Sequence, residues 1–300
     1  DLLKILNENK ELKPLDDDLR ELFKSWFNPG FLKLAKITWD TKAAVLEKII
    51  QYERVHKIKD MNELKRRLGE DRRFFSYFHP ALDDEPIIFV QVALTNGLGK
   101  SIQEIMKPSA EGAKKYDTAT FYSISNCQEG LSRVTLGNFL IKRVVYEIQE
   151  ELPNIKNFGT LSPIPGFRDW FTTLDEKIIQ NILGKIPYNN VSFLKYSDLK
   201  VGDGRIVSNK QAIIKLVAHY LMNEKNKKGL PINDVCRFHL GNGAIIDDIN
   251  INANVSEVGL NRSFGVMVNY LYELKNIEKN HEDYINNKKI IISDQLKKKL

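Results

Sequence analysis

The segment "LSPIPGF", positions 161–167, holds a serine hydroxyl in a stiff stretch of backbone. Pro163 restricts Ser162 to extended conformations, and Pro163 and Pro165 each lack a backbone N–H donor. A sheet cannot pair normally past Ser162, so we expect the neighbouring strand to diverge there and leave a slot beside the hydroxyl. A serine that merely ends a strand is the commoner reason for a Ser-Pro step, so both interpretations stay open at this point.

The segment "RFHLGNGA", positions 237–244, supplies an imidazole. We interpret it as a strand in which Arg237 and His239 share one face, with Gly241 and Gly243 leaving room beside the ring. A histidine titrates near neutral pH and can act as a general acid. A structural histidine is the simpler interpretation of this segment taken alone. The remaining histidines lie in helical or turn contexts that need no chemistry: His56, His79, His219 and His281.

A candidate anion site lies in "SNCQEGLSRVTLGNFLIKR", positions 125–143. A predicted strand runs into a loop, and a long helix is predicted to begin near Gly137. The unpaired N–H groups and positive dipole end of such a helix can bind a diphosphate, which the glycine would allow to approach closely. Arg133, Lys142 and Arg143 add positive charge nearby. Most glycines at a helix start only make a turn, so the pattern is weak by itself.

A second glycine-rich turn, "TNGLGKSIQEI", contains Gly-Lys-Ser, the last residues of a nucleotide-binding P-loop, but departs from the rest of that motif. The P-loop requires a glycine five residues before Gly99, where this chain has Leu94. A strand-to-helix turn is therefore the better interpretation, and a nucleotide hydrolase is a weak alternative.

Composition limits the partners this chain can take. Its 300 residues are 42% hydrophobic with a net charge of +6, and no apolar run approaches the ~18 residues of a membrane span. Basic residues are not interleaved with aromatic ones, which argues against nucleic acid and favours a phosphate-bearing small ligand. Two cysteines, Cys127 and Cys236, suggest a reducing compartment and neither a disulfide framework nor a metal site.

The elements that must position these groups follow from periodicity. The pattern is helical up to about residue 70, and "FFSYFHPALDDEPIIFVQVALT" then predicts a hairpin. "TATFYSIS" predicts a third strand, "LGNFLIKRVVYEIQEEL" an amphipathic helix, and "FGTLSPIP" a fourth strand. Helices follow the fourth strand, and "VCRFHLGNGAIIDDINI" then predicts a second group of strands. This order predicts a mixed α+β fold.

Together these segments resemble eukaryotic-type malonyl-CoA decarboxylases, a family also found in bacteria. The matching stretches occur in family order from about Gly30 to Leu274. They are "GFLKLAKITW", "LKRRLGEDRR", "FHPAL", "EPIIFVQVALT", "FYSISNCQEGL", "GNFLIKRVV", "LSPIPGF", "RFHLGNGA" and "MVNYLYEL".

The resemblance implies a GNAT-like mixed sheet with flanking helices, preceded by a short helical segment. Residues 1–70 would be the tail of a helical N-terminal domain, and residues 71–300 the CoA-binding catalytic domain. The implied reaction is decarboxylation of malonyl-CoA to acetyl-CoA and CO2, with no metal and no other cofactor. Ser162 and His239 would be the catalytic pair. The CoA-binding loop would comprise Ser132, Arg133, Val134, Thr135, Leu136, Gly137 and Asn138, of which Ser132 and Thr135 depart from the usual GNAT loop.

In this scheme His239 donates the proton, and Ser162 orients the malonyl carboxylate or relays a proton with His239. Two alternatives stay open: an acyltransferase that uses an acyl-CoA, and a non-catalytic acyl-CoA sensor. The family implies assembly of copies into a homo-oligomer, and neither nucleic acid nor a membrane as partner. We expect the cytoplasm as compartment, or a mitochondrion or peroxisome if a targeting segment has been removed.

Overall fold

The computed structural model describes residues 2–107, 116–131, 137–196, 199–200 and 203–300. Its helices in chain order are α1 (Leu2–Glu8), α2 (Lys13–Trp26), α3 (Ala43–Tyr52), α4 (Met61–Arg67), α5 (Ile102–Met106), α6 (Gly137–Glu151), α7 (Phe167–Thr173), α8 (Glu176–Leu183), α9 (Phe193–Tyr196), α10 (Gly204–Ser208), α11 (Lys210–Met222), α12 (Asp234–Gly241), α13 (Glu257–Ser263), α14 (Ile277–Asn287) and α15 (Asp294–Lys297). Its strands are β1 (Lys33–Lys36), β2 (Arg72–Phe78), β3 (Pro86–Thr95), β4 (Thr118–Asn126), β5 (Asn157–Thr160), β6 (Ser162–Pro163), β7 (Ile245–Asn250) and β8 (Met267–Leu271).

The chain divides into two compact units. The first comprises Asp1–Ala93 and Ser123–Leu152, and the second comprises Leu94–Tyr122 and Pro153–Leu300. The divisions fall within β3 and β4, so each of these strands contributes residues to both units.

The first unit packs helices against antiparallel strands. β2 pairs with β1 on one side and with β3 on the other, as the predicted hairpin requires. Val45, Leu46 and Ile49 recur at helical spacing on α3 and are buried against Phe74 and Phe89. The predicted helices of this region are confirmed, but the prediction of an all-helical entry segment is wrong at residues 33–36. Those residues form β1, because pairing with β2 satisfies their backbone groups.

The second unit contains a mixed group of strands with helices around it. β4 and β5 run parallel, whereas β8 pairs antiparallel with β5, β6 and β7. The predicted α+β class with a mixed sheet and flanking helices is therefore confirmed. The apolar interior of this unit includes α11, whose buried residues repeat at helical spacing.

The pairing between β4 and β5 ends close to Ser162, as the prolines predict. The last bond runs from the Leu161 N–H to the Phe121 carbonyl. Ser162 and Pro163 then pair with β8, where they face Val268 and Met267. The backbone that carries Ser162 has thus left its parallel neighbour for another strand.

The predicted strand at positions 237–244 is wrong. These residues form most of α12 and the turn that follows it. The side-chain Oδ1 of Asn233 accepts a bond from the Cys236 N–H and caps the helix, and Cys236, His239 and Leu240 are its buried residues. Their i, i+3, i+4 spacing is that of a helix face, which outweighs the two-residue alternation from which a strand was predicted.

Candidate active site

Ser162 lies in a backbone segment that is held on both sides. It is 6% exposed and belongs to β6, so β8 fixes the chain at the serine. Three residues later, the Pro165 carbonyl accepts bonds from the Tyr220 hydroxyl (3.0 Å) and from Nδ2 of Asn233 (2.9 Å). Gly166 follows with a φ of +77°, a conformation that favours glycine, and starts α7. The prolines therefore belong to a turn in which the Pro165 carbonyl accepts two side-chain hydrogen bonds.

His239 lies in the last turn of α12, where it is 3% exposed. Its ring stacks on Tyr270 at a centroid distance of 4.5 Å and an interplanar angle of 26°. The Phe238 ring meets it edge-on at 5.0 Å. These contacts fix the plane of the imidazole, so its two nitrogens point in defined directions.

The structure brings the two predicted catalytic side chains into contact. Ser162 Oγ lies 3.0 Å from His239 Nε2, although the residues are separated by 77 positions in the sequence. On the other side of the imidazole, Nδ1 lies 2.8 Å from the Tyr272 hydroxyl. Ser162 Oγ also donates to Thr160 Oγ1 at 2.8 Å.

These contacts assign the protons of the network. Because Ser162 gives its hydrogen to Thr160, its Oγ accepts from His239, and the proton of the neutral ring is therefore on Nε2. Nδ1 then accepts from the Tyr272 hydroxyl. The result is a directed chain of hydrogen bonds from Tyr272 through His239 and Ser162 to Thr160.

Burial keeps this chain uncharged. Desolvation lowers the pKa of His239 from 6.5 to about 3 and raises the pKa of Tyr272 well above its ordinary value. His239 is therefore a neutral imidazole at neutral pH, and Tyr272 keeps its proton. The expectation that this histidine titrates near neutral pH is wrong, because the ring is almost fully removed from water.

The residues around the pair extend the network through the second unit. Asn269 Nδ2 donates to the Thr160 carbonyl (2.7 Å) and to the Gly99 carbonyl (2.9 Å), and its Oδ1 accepts from Asn250. Sequence reasoning missed Thr160, Tyr270, Tyr272 and Asn269. Thr160 could have been predicted from the sequence, because a residue two positions from Ser162 on an extended chain points to the same side. The partners on β8 are visible only after the strands are paired.

The other hydroxyls of β4 belong to a different cluster. Ser123 Oγ donates to Glu53 Oε2 at 2.7 Å and Ser125 Oγ donates to Glu53 Oε1 at 3.3 Å, all within the first unit. Glu53 is 3% exposed and also accepts from Gln91 and from the N–H groups of Val55 and His56. These serines satisfy a buried carboxylate, which is a structural task.

The two cysteines offer no nucleophile. Both are unpaired and buried, and burial raises the pKa of each thiol, that of Cys236 to about 12. A buried thiol that keeps its proton is inert. Among the residues that the structure describes, no group of histidine, cysteine or carboxylate side chains could hold a metal ion.

The predicted anion site is only partly described. The helix begins at Gly137, as the sequence predicts, and continues to Glu151. Ser132, Arg133, Val134, Thr135 and Leu136 lie outside the described residues, and so do the side chains at 137–139. Arg143, one of the nearby cations, pairs with Glu147 one turn along α6.

The glycine-rich turn at 97–101 has a structural role. The Gly99 N–H donates to Thr120 Oγ1, and a Cβ on Gly99 would come within 2.7 Å of Ile105. The helix that follows, α5, has only 5 residues. The structure thus favours the strand-to-helix turn over a phosphate-binding loop. None of the described helices is both long and apolar enough to cross a membrane.

Family models match nearly the whole chain. The model described as malonyl-CoA decarboxylase C-terminal domain matches residues 30–300, and the corresponding N-terminal domain model matches residues 1–27. The chain is 37% identical over 311 residues to a mitochondrial malonyl-CoA decarboxylase of the goose Anser anser anser, and 36% identical over 313 residues to that of Rattus norvegicus. These alignments cover 96% and 97% of this chain, which spans 62% and 63% of the length of the two relatives.

Solved structures agree with the sequence matches. The malonyl-CoA decarboxylase of Rhodopseudomonas palustris superposes with a TM-score of 0.89 at 41% identity, covering 99% of this chain and 73% of that protein. The loading GNATL domain of CurA from Lyngbya majuscula has a TM-score of 0.50 at 12% identity, covering 82% of this chain and 98% of that domain. The second likeness concerns the fold alone, and it confirms the predicted GNAT-like architecture.

Proposed function

Because the chain belongs to the malonyl-CoA decarboxylase family, we propose that it converts malonyl-CoA to acetyl-CoA and CO2. The bond between the α-carbon and the carboxylate breaks, and its electron pair moves into the thioester as an enolate. CO2 leaves, and the α-carbon then takes one proton. The observation that carries the proposal for this chain is the 3.0 Å contact between Ser162 Oγ and His239 Nε2. The Tyr272 hydroxyl holds the ring by a hydrogen bond to its other nitrogen, Nδ1.

The proton moves along the hydrogen-bond chain. The Ser162 hydroxyl turns from Thr160 to the substrate, gives its proton to the enolate carbon and takes one from Nε2 of His239, while Nδ1 takes the Tyr272 proton and Tyr272 takes one from solvent in the same step. No tyrosinate forms, and the single proton that the reaction consumes comes from solvent. The imidazole ends with its proton on Nδ1 and returns to the Nε2 tautomer before the next turnover. This relay suits a histidine whose pKa is about 3, because the ring passes a proton without first becoming an imidazolium.

The lack of charge on the described side chains of this hydrogen-bond chain also suits the bond that breaks. A cation beside the malonyl carboxylate would stabilise the substrate as strongly as the charge that develops later, and only differential stabilisation accelerates the step. The hydroxyl and imidazole groups are oriented by neighbouring side chains before the substrate arrives. Fixed dipoles of this kind favour charge that appears in the transition state, by roughly 3 kcal/mol for one well-placed donor.

We further propose that the diphosphate of CoA binds at the start of α6, in the loop 132–138. The support is the helix that begins at Gly137 and runs for 15 residues, whose first N–H groups have no partner within the helix. The chain works without a metal or another cofactor in this scheme. Assembly of copies into a homo-oligomer is proposed from the family. The two unpaired cysteines fit a reducing compartment, and we propose the cytoplasm, a mitochondrion or a peroxisome.

The test is direct. Purified chain is incubated with malonyl-CoA labelled in its free carboxylate, and labelled CO2 and acetyl-CoA are measured together. We expect the two products in equal amounts, and little of either from the Ser162→Ala variant. Free CoA without CO2 would indicate acyl transfer instead, and binding of malonyl-CoA without turnover would indicate a sensor.

A further inference from the structure

A single buried amide joins the two segments that carry Ser162 and His239. Asn233 lies directly before α12 and is 2% exposed. Its Oδ1 accepts from the Cys236 N–H at 2.8 Å, and its Nδ2 donates to the Pro165 carbonyl at 2.9 Å. One side chain thus connects the start of the histidine helix with the turn that follows the serine.

Capping alone does not account for an asparagine at this position. Other described helices are capped by aspartates, which can only accept: Asp60, Asp175 and Asp203. Aspartate caps a helix as well as asparagine does. At position 233, however, the second carboxylate oxygen would face the Pro165 carbonyl oxygen, and two acceptors repel. The NH2 group is therefore needed for the link to Pro165 and not for the helix.

We propose that Asn233 is a positioning residue that sets the distance between Ser162 and His239; this rests on the proposed function of that pair. His239 lies six residues beyond Asn233 on a hydrogen-bonded helix, and Pro165 lies three residues beyond Ser162. Both stretches are stiff, so a link between their ends fixes the Oγ–Nε2 distance. Without the link, α12 can slide along its axis relative to β6, and a proton relay depends steeply on such a displacement.

The chain provides a matched control at the same carbonyl. The Tyr220 hydroxyl donates to the Pro165 carbonyl at 3.0 Å but makes no contact that caps α12. Asn233→Ser keeps an oxygen that can cap the helix and loses the donor to Pro165. Tyr220→Phe loses the other donor to Pro165 and the contact of that hydroxyl with Asn233, but it keeps the Asn233 bonds to Pro165 and to Cys236. Each variant removes one hydrogen bond from the same acceptor and leaves one in place.

The kinetic experiment compares kcat and KM for malonyl-CoA in the full chain and in these variants. We expect kcat to fall about 10- to 100-fold in Asn233→Ser with KM within about twofold, because the pair is misplaced while binding is unaffected. Tyr220→Phe stays within about twofold of the parent chain. Asn233→Asp, the second variant, loses at least as much as Asn233→Ser. Equal kcat values in Asn233→Ser and Tyr220→Phe would overturn the proposal, as would a kcat loss that follows the melting temperature across all three variants.

A second readout does not depend on turnover. Heteronuclear NMR of the imidazole nitrogens reports the hydrogen bond at Nε2, and His239→Gln identifies the His239 signal among five histidines. We expect Asn233→Ser to shift that signal and Tyr220→Phe to leave it in place. If the parent chain releases no CO2, the proposed function fails and this comparison still decides the role of Asn233. An unchanged His239 signal in Asn233→Ser would overturn the proposed positioning role of Asn233.

Discussion

The imidazole of His239 gains its chemical character from three contacts. Tyr272 donates to Nδ1 and fixes the tautomer, Ser162 accepts from Nε2, and Tyr270 stacks on the ring. None of these partners carries a charge, and burial lowers the pKa of the ring to about 3. An imidazole in such a setting can take a proton at one nitrogen while it gives one at the other, which is the role proposed for His239.

Substitution of His239 separates a relay from a simple hydrogen-bond donor. His239→Ala should lower kcat for malonyl-CoA by about 10² to 10⁴, the usual contribution of a positioned proton donor, with a smaller change in KM. Glutamine keeps an N–H donor but cannot pass a proton from Tyr272, so His239→Gln should lose nearly as much. Near-normal turnover in His239→Gln would mean that the histidine acts only as a hydrogen-bond donor. Near-normal turnover in His239→Ala as well would make it a structural residue.

A comparison of two buried serines tests which hydroxyl reacts. Ser162→Ala should abolish most activity, because the chain between His239 and the substrate is broken. Ser125→Ala should retain most of it, since Ser125 makes a long 3.3 Å bond to a carboxylate that keeps other donors. Steady-state rates of the two folded variants decide the matter. The opposite ranking would place the reacting serine on β4.

At the scale of elements, a helix and a short strand meet side by side to form the pair. β6 holds Ser162 because β8 pairs with it, and α12 holds His239 because Asn233 caps its first turn. The turn at Gly166 closes the serine segment, where a Cβ would lie 2.8 Å from the Tyr220 hydroxyl. Two short elements thus achieve rigidity from capping and tight turns.

The start of α6 provides the prediction at this scale. If the CoA diphosphate binds there, Gly137→Val should raise the KM for malonyl-CoA or abolish binding, because the side chain would occupy the place of the phosphate. Calorimetry with CoA measures this directly. Gly130→Ala is the control, because a Cβ at Gly130 meets nothing within 4 Å. Unchanged CoA affinity in a folded Gly137→Val protein would exclude this helix start as the diphosphate site.

At the scale of the whole molecule, the buried neutral histidine affects stability. The ordinary pKa of histidine is 6.5 and the folded value for His239 is about 3. Between these values the unfolded chain binds a proton at position 239 that the folded chain does not. The contribution to stability is therefore complete above pH 6.5 and is lost as the pH falls toward 3.

This linkage predicts how the chain responds to acid. The free energy of unfolding of the parent chain should fall more steeply between pH 7 and 5 than that of His239→Gln, because glutamine does not titrate. Denaturant titrations at a series of pH values measure both slopes, and carboxylates cancel in the difference. Parallel slopes would mean that the folded histidine titrates normally, which would restore an imidazolium as proton donor.

The sequence by itself determined the class of the fold, the helices before residue 70, the helix that begins at Gly137, the hairpin and the end of pairing at Ser162. These features depend on local periodicity, on helix caps and on proline, all of which act between neighbours along the chain. The resemblance of its motifs to one family singled out Ser162 and His239. The strand predicted around His239 was wrong, because four residues of alternating polarity cannot be told from a short helix until its cap and its buried face are known.

Only the tertiary structure decided what surrounds the pair. Tyr270 lies on β8 and Tyr272 directly follows that strand, and Asn233 donates to the carbonyl of Pro165, which is 68 residues away in sequence. No local pattern encodes such contacts, because they follow from which strands pair and where a helix lies against them. The charge state of His239 could not be predicted from the sequence either, since the same imidazole is a cation in water at low pH and is neutral when it is buried.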